Sequence, residues 1–538
     1  MGLLTYIAHG GSVWPAVFVT IFVLLFYAFV LGLYRLTFHP LSKFPGPKLS
    51  AFTGWYELYV DTFGGPRETF AYQIQRMHQK YGPIVRINPH ELHVSDHEFF
   101  DAIYAGGSAR RNKYPPSAGV QGTPDGIFGT VDHELHRRRR AAISGFFSRQ
   151  SVLNHEDLIH EKVDLLCEVF KQAMFDGEPM NIRIPLLAFT TDFYCAHALG
   201  ENGNMKLLQD QEKAQVWRHS IIGLLHMTPF VRQFPWMIPY ALELPLWLIK
   251  MISADMALDI RQQAKVAIDS FKSTQAKSET PGDLMQAILS SSLPDSEKSY
   301  KRMAQEGFSV LTASGDTIAR TLTTAIYHLL ANPAYLEQLR DELDSAMPDP
   351  NASVHLKSLE SLTWFPAVIK ESLRIAALIT SRAVLQAPTE CLKYNDWIIP
   401  PNTPIGTTLA DLMMDPHVFP EPRYFDPGRW LESHPLYARN MKYFVPFHRG
   451  HRNCIGIKSV LTAESSHRCV QSFHVTDLNH SLAWAEMYIA LAKLFRRFDL
   501  KLYGVVRERD IDHHRDCFLG EPRDDTKGVR VKILGLRE

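Results

Sequence analysis

The sequence has no excess of charge of either sign and contains few cysteines. Lysine plus arginine and aspartate plus glutamate each total 57 among 538 residues, so the formal net charge is zero. No basic surplus therefore favours a nucleic-acid partner. The cysteines show no C-x-x-C spacing, which excludes a zinc ribbon and fits a reducing compartment without disulfides. The six are Cys167, Cys195, Cys391, Cys454, Cys469 and Cys517.

Linkers and repeats are also absent, whereas one long apolar run is present. No Gly/Ser-rich linker or internal repeat divides the chain, so we expect one large domain over residues 51–538. Residues 13–34 carry no charge and are long enough to cross a bilayer as one helix. Lysine and arginine residues follow this run, and neither residue type precedes it. The positive-inside rule therefore predicts residues 1–12 in the lumen and the body of the chain in the cytosol.

The remaining patterns predict a mainly α fold with small β-sheets. Prolines between residues 35 and 50 predict a stiff hinge, and alternation around Asn88-Pro89 predicts a β-hairpin. The longest helical pattern runs over residues 307–331, and another covers 364–376. Residues 221–253 are apolar and aromatic but are interrupted by four prolines. They form either short helices that dip into the bilayer surface or an ordinary core segment.

One cysteine lies in a setting suited to a metal. The stretch from Phe447 to Gly456 reads FHRGHRNCIG, and Cys454 is its cysteine. A cysteine thiolate can be the axial ligand of a haem iron. Phe447 would then shield the ring, Gly450 would allow close backbone approach, and Arg452 would meet a haem propionate. The alternative for an isolated cysteine is a buried free thiol.

Two further patterns suit the same chemistry. A helix beginning near His133 carries four consecutive arginines, of which Arg137 would reach a propionate while its neighbours form a positive surface for an acidic electron donor. A solvated basic face is the alternative. The stretch from Ala313 to Thr317 combines small residues with the pair Asp316-Thr317, an acid and an alcohol that could relay protons.

Together these motifs resemble those of the cytochrome P450 family in its microsomal form, and the resemblance covers nearly the whole chain. The stretches FHPLSKFPGPKL and FGTVDHELHRRRR are similar to fungal secondary-metabolism enzymes of the trichodiene oxygenase-like group. The resemblance implies a cytochrome P450 fold preceded by a single transmembrane helix, with haem b bound through Cys454. It assigns the remaining site residues as follows: His133, Arg137, Phe447, Gly450, Arg452 and Gly456 around the cofactor, Asp316 and Thr317 in catalysis, and Glu371, Arg374 and Arg429 in a buried network supporting the haem loop.

The resemblance also implies an activity. It is that of a monooxygenase that hydroxylates or epoxidises a lipophilic secondary metabolite, terpenoid or related, using O2 and electrons from NADPH through cytochrome P450 reductase at the endoplasmic reticulum membrane. A haem-thiolate isomerase or dehydratase and a haem-binding protein without turnover are the alternatives. The pair Asp316-Thr317 favours the monooxygenase, because an isomerase or dehydratase needs no proton relay.

The sequence departs from the family pattern at two places. Leu385 stands where the family often has a second arginine for a propionate, so haem anchoring would rest more heavily on Arg137 and Arg452. Residues 459–481 have no counterpart in the family, which passes from the cysteine loop directly into the helix that here starts near Leu482. This segment is either a surface loop or an in-frame intron retained in the translation. Its excision would join CIGIK to LAWAEMYIALAKLFRRF.

Overall fold

The computed structural model describes residues 14–66, 68–200, 204–238, 240, 244–245, 247–248, 251, 284–457 and 482–537. The predicted lumenal residues 1–12 and the atypical segment 459–481 lie outside the described residues. Their predictions therefore remain predictions.

Helices make up most of the described chain. Their bounds are α1 Trp14–Thr37, α2 Lys48–Phe52, α3 Trp55–Thr62, α4 Phe70–Tyr81, α5 Phe100–Ile103, α6 Pro115–Ala118, α7 His133–Ile143, α8 Arg149–Asn154, α9 Glu156–Asp176, α10 Arg183–Leu199, α11 Gln211–His226, α12 Thr228–Gln233, α13 Leu284–Leu289, α14 Tyr300–Ala331, α15 Pro333–Ala346, α16 Leu356–Glu360, α17 Trp364–Ala376, α18 Leu409–Met413, α19 Tyr437–Tyr443, α20 Leu482–Arg497 and α21 Arg507–Asp510.

The strands are short and form four small sheets. Their bounds are β1 Ile84–Arg86, β2 Leu92–Val94, β3 Asn112–Lys113, β4 Met180–Asn181, β5 Ala383–Gln386, β6 Leu392–Tyr394, β7 Trp397–Ile399, β8 Ile405–Thr407, β9 Phe498–Leu502, β10 Arg515–Cys517, β11 Leu519–Glu521 and β12 Arg530–Leu536. The largest sheet has the order β1-β2-β8-β5-β3, and the others are β4-β12-β9, β10-β11 and β6-β7. The predicted hairpin is confirmed, since Ile84 pairs with Val94 across antiparallel β1 and β2.

The long helix α14 runs through the core and packs against α10, α17 and α20. It ends at Ala331 as predicted, before Asn332-Pro333, but it begins at Tyr300 and not at 307. The first turns of α14 lack apolar residues at helical spacing. They are stabilised by a buried ion pair, in which Arg302 lies 2.6 Å from Glu306 at i,i+4 spacing. An apolar-periodicity rule does not detect a helix start of this kind.

Helix α1 is the membrane-anchor candidate. Among the described residues it is the one helix long and apolar enough to span a membrane, and only 6% of its most apolar window is buried. It continues to Thr37, beyond the predicted end at residue 34. The predicted hinge is tied to the body, because Arg86 donates to the carbonyl oxygen of Arg35 (2.9 Å) and α2 begins at Lys48. In the described part of 221–253, α11 and α12 are separated at Met227 and form no second span.

Candidate active site

The loop that carries Cys454 is held by a hydrogen bond within its own backbone and by close packing against the backbone of Tyr104, between α5 and β3. The Cys454 amide donates to the carbonyl oxygen of Phe447 (2.9 Å), which closes the loop. Gly450 has a φ of +69°, and a Cβ at this position would lie 2.1 Å from the carbonyl oxygen of Tyr104. Any side chain at 450 would therefore clash with backbone as well as strain the loop. This is the close approach predicted for Gly450.

Three groups act on the Cys454 sulfur. Burial raises the pKa of the thiol, while the amides of Gly456 and Ile457 and the guanidinium of Arg140 lower it. Hydrogen bonds from amides and a nearby cation stabilise a thiolate, the form that ligates iron.

Cys454 is exposed, whereas burial by the protein atoms around its thiol raises the pKa of that thiol. On α14, Ala313 is exposed although Leu311 and Gly315 are buried. Thr317 lies one turn further along the same face and is partly exposed.

A cluster of half-buried cations lies beside the cysteine loop. We define the cationic cluster as Lys113, Arg140 and Arg452. Arg452 donates to the carbonyl oxygens of Thr130 (2.6 Å) and Val131 (2.8 Å). Arg140 donates to the carbonyl and side-chain oxygens of the residue before Cys454 (2.7 and 2.6 Å), and Lys113 donates to Phe128 O (2.8 Å). Their hydrogen-bond acceptors are thus neutral oxygens.

The cationic cluster lacks a directly paired anion among the described residues, and Asp132 is the nearby negative charge that raises the pKa of Arg452. Within the described ranges, none of its three members forms an ion pair with a carboxylate. Burial lowers the pKa of Arg452 to about 10 and that of Lys113 well below its usual value, and Arg452 lowers the Lys113 pKa further. Uncompensated buried charge is costly unless a counter-ion is bound. Two carboxylates, such as the propionates of haem b, match this requirement, so the residues present fit the cofactor.

Only some of the residues predicted to contact the haem propionates lie beside the cysteine loop. Arg452 lies in the cationic cluster, whereas the side chain of Arg137 is 64% exposed and bonds Glu134 (3.0 Å) on the surface. His133 is buried, and its ring meets that of His451 edge-on, with ring centroids 4.7 Å apart. The helix therefore directs Arg140, and not Arg137, toward the cysteine loop.

Lys113 is not predicted from the sequence as a cofactor-binding residue, because no recognisable motif surrounds it. It lies on β3 directly opposite Leu385 of β5 in the antiparallel register. Leu385 is the position at which the family often has an arginine. Lys113 on β3 therefore supplies the positive charge that the family often has at the position of Leu385 on β5.

Asp316 and Thr317 are adjacent in α14 but have different surroundings. The Asp316 carboxylate is buried and accepts from Arg183 (2.9 and 3.0 Å) and from Arg320 (2.7 Å). These two guanidiniums, opposed by desolvation, hold the pKa of Asp316 below its usual value. The Thr317 hydroxyl donates to the carbonyl oxygen of Ala313 (2.8 Å) and lies on the open face. Gly315 packs against α10, where an added Cβ would lie 2.9 Å from the Thr191 hydroxyl.

The structure brings the Glu-Arg-Arg residues into one buried network. Glu371 accepts from Arg374 (2.7 and 2.8 Å) and from the Trp430 indole (2.9 Å), and Arg429 lies 3.6 Å from the same carboxylate. Glu371 and Arg374 are fully buried. The i,i+3 spacing on α17 makes the first pair, and the turn after Asp426 supplies the other members. Asp426 lies 3.9 Å from Arg429, so the two arginines of this network face two carboxylates.

The comparisons with known proteins agree with this arrangement. The sequence model described as Cytochrome P450 matches residues 53–458. Cytochrome P450 monooxygenase MO6277 of Ascocoryne sarcoides is 35% identical over 525 residues, covering 94% of this chain and 96% of the relative. Tryptophan 6-hydroxylase fscE of Fusarium equiseti is 36% identical over 535 residues (97% and 98%). Fusicoccadiene C-8 hydroxylase of Phomopsis amygdali is 35% identical over 519 residues (93% of each).

The fold and the site therefore define a haem-thiolate monooxygenase with a candidate N-terminal membrane helix. The chain belongs to the cytochrome P450 family. The predicted family, fold class, enzyme class and haem cofactor are confirmed, and the isomerase or dehydratase alternative is not favoured. The family uses a redox partner and a lipophilic substrate. The roles assigned to individual residues remain predictions.

Proposed function

We propose that this chain binds haem b through Cys454 and hydroxylates or epoxidises a lipophilic secondary metabolite, terpenoid or related. The observation that carries the proposal is the position of Cys454 beside the cationic cluster, whose hydrogen-bond acceptors among the described residues are neutral oxygens. When bound to a thiolate, haem supplies the activation of O2. The names of two relatives, a tryptophan hydroxylase and a fusicoccadiene hydroxylase, support hydroxylation and leave the substrate skeleton open.

The protein residues would act on the cofactor, the protons and the substrate separately. Arg452, Arg140 and Lys113 would hold the propionates by charge-assisted hydrogen bonds. The Thr317 hydroxyl donates its hydrogen to Ala313 O (2.8 Å), so its oxygen can accept a hydrogen bond from a water molecule on the exposed face of α14. Asp316 would serve as the proton-relay acid only after releasing one of its two arginine partners, because both hold its carboxylate.

We also propose that NADPH-cytochrome P450 reductase supplies the electrons. Arg137 and Arg138 are exposed next to each other on α7, the helix that also contacts the cysteine loop through Arg140. An exposed basic patch attracts an acidic partner and orients it by long-range electrostatics. A donor docked there would lie near the loop that carries Cys454.

Membrane attachment is supported by exposed apolar surface in two places. Helix α1 is apolar and exposed over nearly its whole length. A second region combines the exposed aromatic side chains of Trp55 in α3 and of Phe63, which follows this helix, with exposed Trp236 and Trp247. The rings of Trp55 and Phe234 lie 5.8 Å apart, which joins the two segments. We propose that this face lies on the endoplasmic reticulum membrane and that lipophilic substrate enters from it.

The test is a reduced, CO-bound absorption spectrum of the purified protein, followed by product analysis with the reductase, NADPH and candidate substrates. We expect the red-shifted Soret band of thiolate ligation in the wild type and its loss in Cys454→Ala. The exposed Cys391 provides the matched control, because Cys391→Ala should keep the band. A thiolate spectrum that survives Cys454→Ala, or haem bound through nitrogen alone, would overturn the proposal. Product carrying one added oxygen atom supports the monooxygenase.

A further inference from the structure

Three potential metal ligands from distant parts of the chain meet away from the haem site. They are the carboxylate of Glu68 before α4, the imidazole of His226 at the end of α11, and the thiol of Cys517 at the end of β10. One ligand atom from each lies within 4.8 Å of the other two. Glu68 and Cys517 are buried, whereas the His226 side chain is 31% exposed.

The separations fit a tetrahedral ion. The Cys517 sulfur lies 3.6 Å from Nδ1 of His226 and 3.3 Å from Oε2 of Glu68. Zinc bonds of about 2.0 Å to nitrogen and about 2.3 Å to sulfur, at a tetrahedral angle, separate the two ligand atoms by about 3.5 Å. The carboxylate makes a short contact with Nδ1 of His226 and would have to move outward to admit the ion. Only one of the three ligands therefore needs to shift.

The backbone holds Glu68 in place for this role. Its φ is +60°, a conformation that is strained for a residue other than glycine and persists only when the surroundings enforce it. Both main-chain groups are bonded: the Glu68 amide donates to Asp61 O (2.8 Å), and its carbonyl oxygen accepts from the Asp516 amide (2.6 Å). The second bond joins Glu68 directly to the strand that carries Cys517.

The local charge also fits a divalent cation. Without an ion, the carboxylate accepts hydrogen bonds from both the thiol and the imidazole. With an ion, a metal–sulfur bond replaces the S–H bond and the thiol proton passes to solvent. Thiolate and carboxylate then neutralise the two positive charges of the ion. The nearby cation Arg515, 3.8 Å from Glu68, is already paired with Asp524 at 2.6 Å.

We propose that Glu68, His226 and Cys517 form a binding site for a borderline-soft divalent cation of the zinc class, with water as the fourth ligand on the exposed side of His226. The mixed sulfur, nitrogen and oxygen donors select this class over magnesium or calcium. A bound ion would fasten the end of α11 to the β10–β11 hairpin and to the segment before α4.

The test uses the untagged, haem-loaded full chain and Zn2+ alone. We expect one more equivalent of zinc to bind to the wild type than to Cys517→Ser or His226→Gln, and Glu68→Gln to weaken that binding at least tenfold. Cys391→Ser is the matched control and should bind as the wild type does. Zinc K-edge absorption should show one sulfur at about 2.3 Å and lighter ligands at about 2.0–2.1 Å. Zinc should also raise the thermal midpoint of the wild type but not that of Cys517→Ser.

Unchanged haem content in the variants shows that they fold. Zinc binding that is the same in wild type, Cys517→Ser and His226→Gln would overturn the proposal, and so would a zinc shell without sulfur. In either case the three side chains are a hydrogen-bonded tether and not a metal site.

Discussion

Asp316→Asn removes one charge from a buried ion network while keeping the shape of the side chain. Asp316 is 1% exposed and bonds two guanidiniums, those of Arg183 and Arg320. Both arginines also reach Glu521, and a third, Arg218, lowers the Asp316 pKa from nearby. The wild-type network therefore has three positive and two negative charges. The substitution leaves three positive charges facing Glu521 alone.

The expected loss of stability follows from that imbalance. Removing one partner of a buried ion pair costs about 3–5 kcal/mol, because the remaining charge stays buried without compensation. At about 2.1 cal/mol/K per residue, unfolding 538 residues changes the entropy by about 1.1 kcal/mol/K. The thermal midpoint of Asp316→Asn should thus fall by about 3–4 °C. Differential scanning calorimetry of the haem-loaded protein at a fixed scan rate measures it.

The matched control is Asp341→Asn, at an exposed position on α15, for which we expect no measurable shift. A midpoint for Asp316→Asn equal to that of the wild type would refute the reasoning that Asp316 is chiefly a structural anion. The ratio of peroxide formed to NADPH used, measured in the same variant, reports the proton-relay role separately. A stable but uncoupled Asp316→Asn would favour the relay over the network.

Four further predictions concern haem, protons, acid stability and the atypical segment. Lys113→Met should speed haem transfer to an acceptor apoprotein by roughly 10–100-fold, the value of a charge-assisted hydrogen bond, whereas Lys113→Arg should not. Thr317→Ala should bind haem normally but divert NADPH to peroxide, measured with a true substrate. Burial lowers the pKa values of His197 and His328 to about 3 each, so the unfolded chain binds protons before the folded chain as the pH falls below about 6.5. Their contribution to the free energy of unfolding is therefore complete above that pH. Each histidine should lower this free energy by about 1.4 kcal/mol at pH 5.5, which would be measured as a lower urea midpoint. Deleting residues 459–481 should tighten haem binding and raise turnover.

Each of these predictions has an outcome that contradicts it. Equal haem loss from Lys113→Met and wild type would remove Lys113 from the propionate site. Unchanged coupling in Thr317→Ala would remove the hydroxyl from proton delivery. A urea midpoint that is flat from pH 7.5 to 5.5 would contradict the histidine argument, and a double variant, His197→Asn with His328→Asn, should itself show a weaker pH dependence. If transcripts uniformly encode 459–481 and its deletion abolishes haem binding, the segment is a structural element.

The parts of the site that follow from sequence are those whose members are close in the chain. Cys454 and Gly450 belong to one loop, and Glu371 and Arg374 are three residues apart on one helix, so local spacing already places them together. The family match ends at residue 458, immediately before the segment predicted to be atypical, and that prediction stays a prediction. Sequence patterns are reliable for such local sets because helix and turn geometry are the same in every fold.

The four arginines of α7 show where local spacing is insufficient. Successive helical residues turn by about 100°, so four in a row point in every direction around the axis. Arg137 and Arg138 face solvent, Arg139 bonds Glu297 (2.6 Å), and Arg140 bonds Asn453. The phase of the helix is set by packing of His133 and His136 in the interior, which the run of arginines does not encode.

Lys113 illustrates a different reason. The leucine at position 385 predicts that haem anchoring rests more heavily on Arg137 and Arg452. In the fold, antiparallel pairing places Lys113 opposite Leu385, although the two are far apart in sequence. A cation on either strand of the pair can serve the same buried region, so the chemical requirement belongs to the strand pair and not to one position. A missing charge in a motif should therefore be sought on the paired strand before the site is judged incomplete.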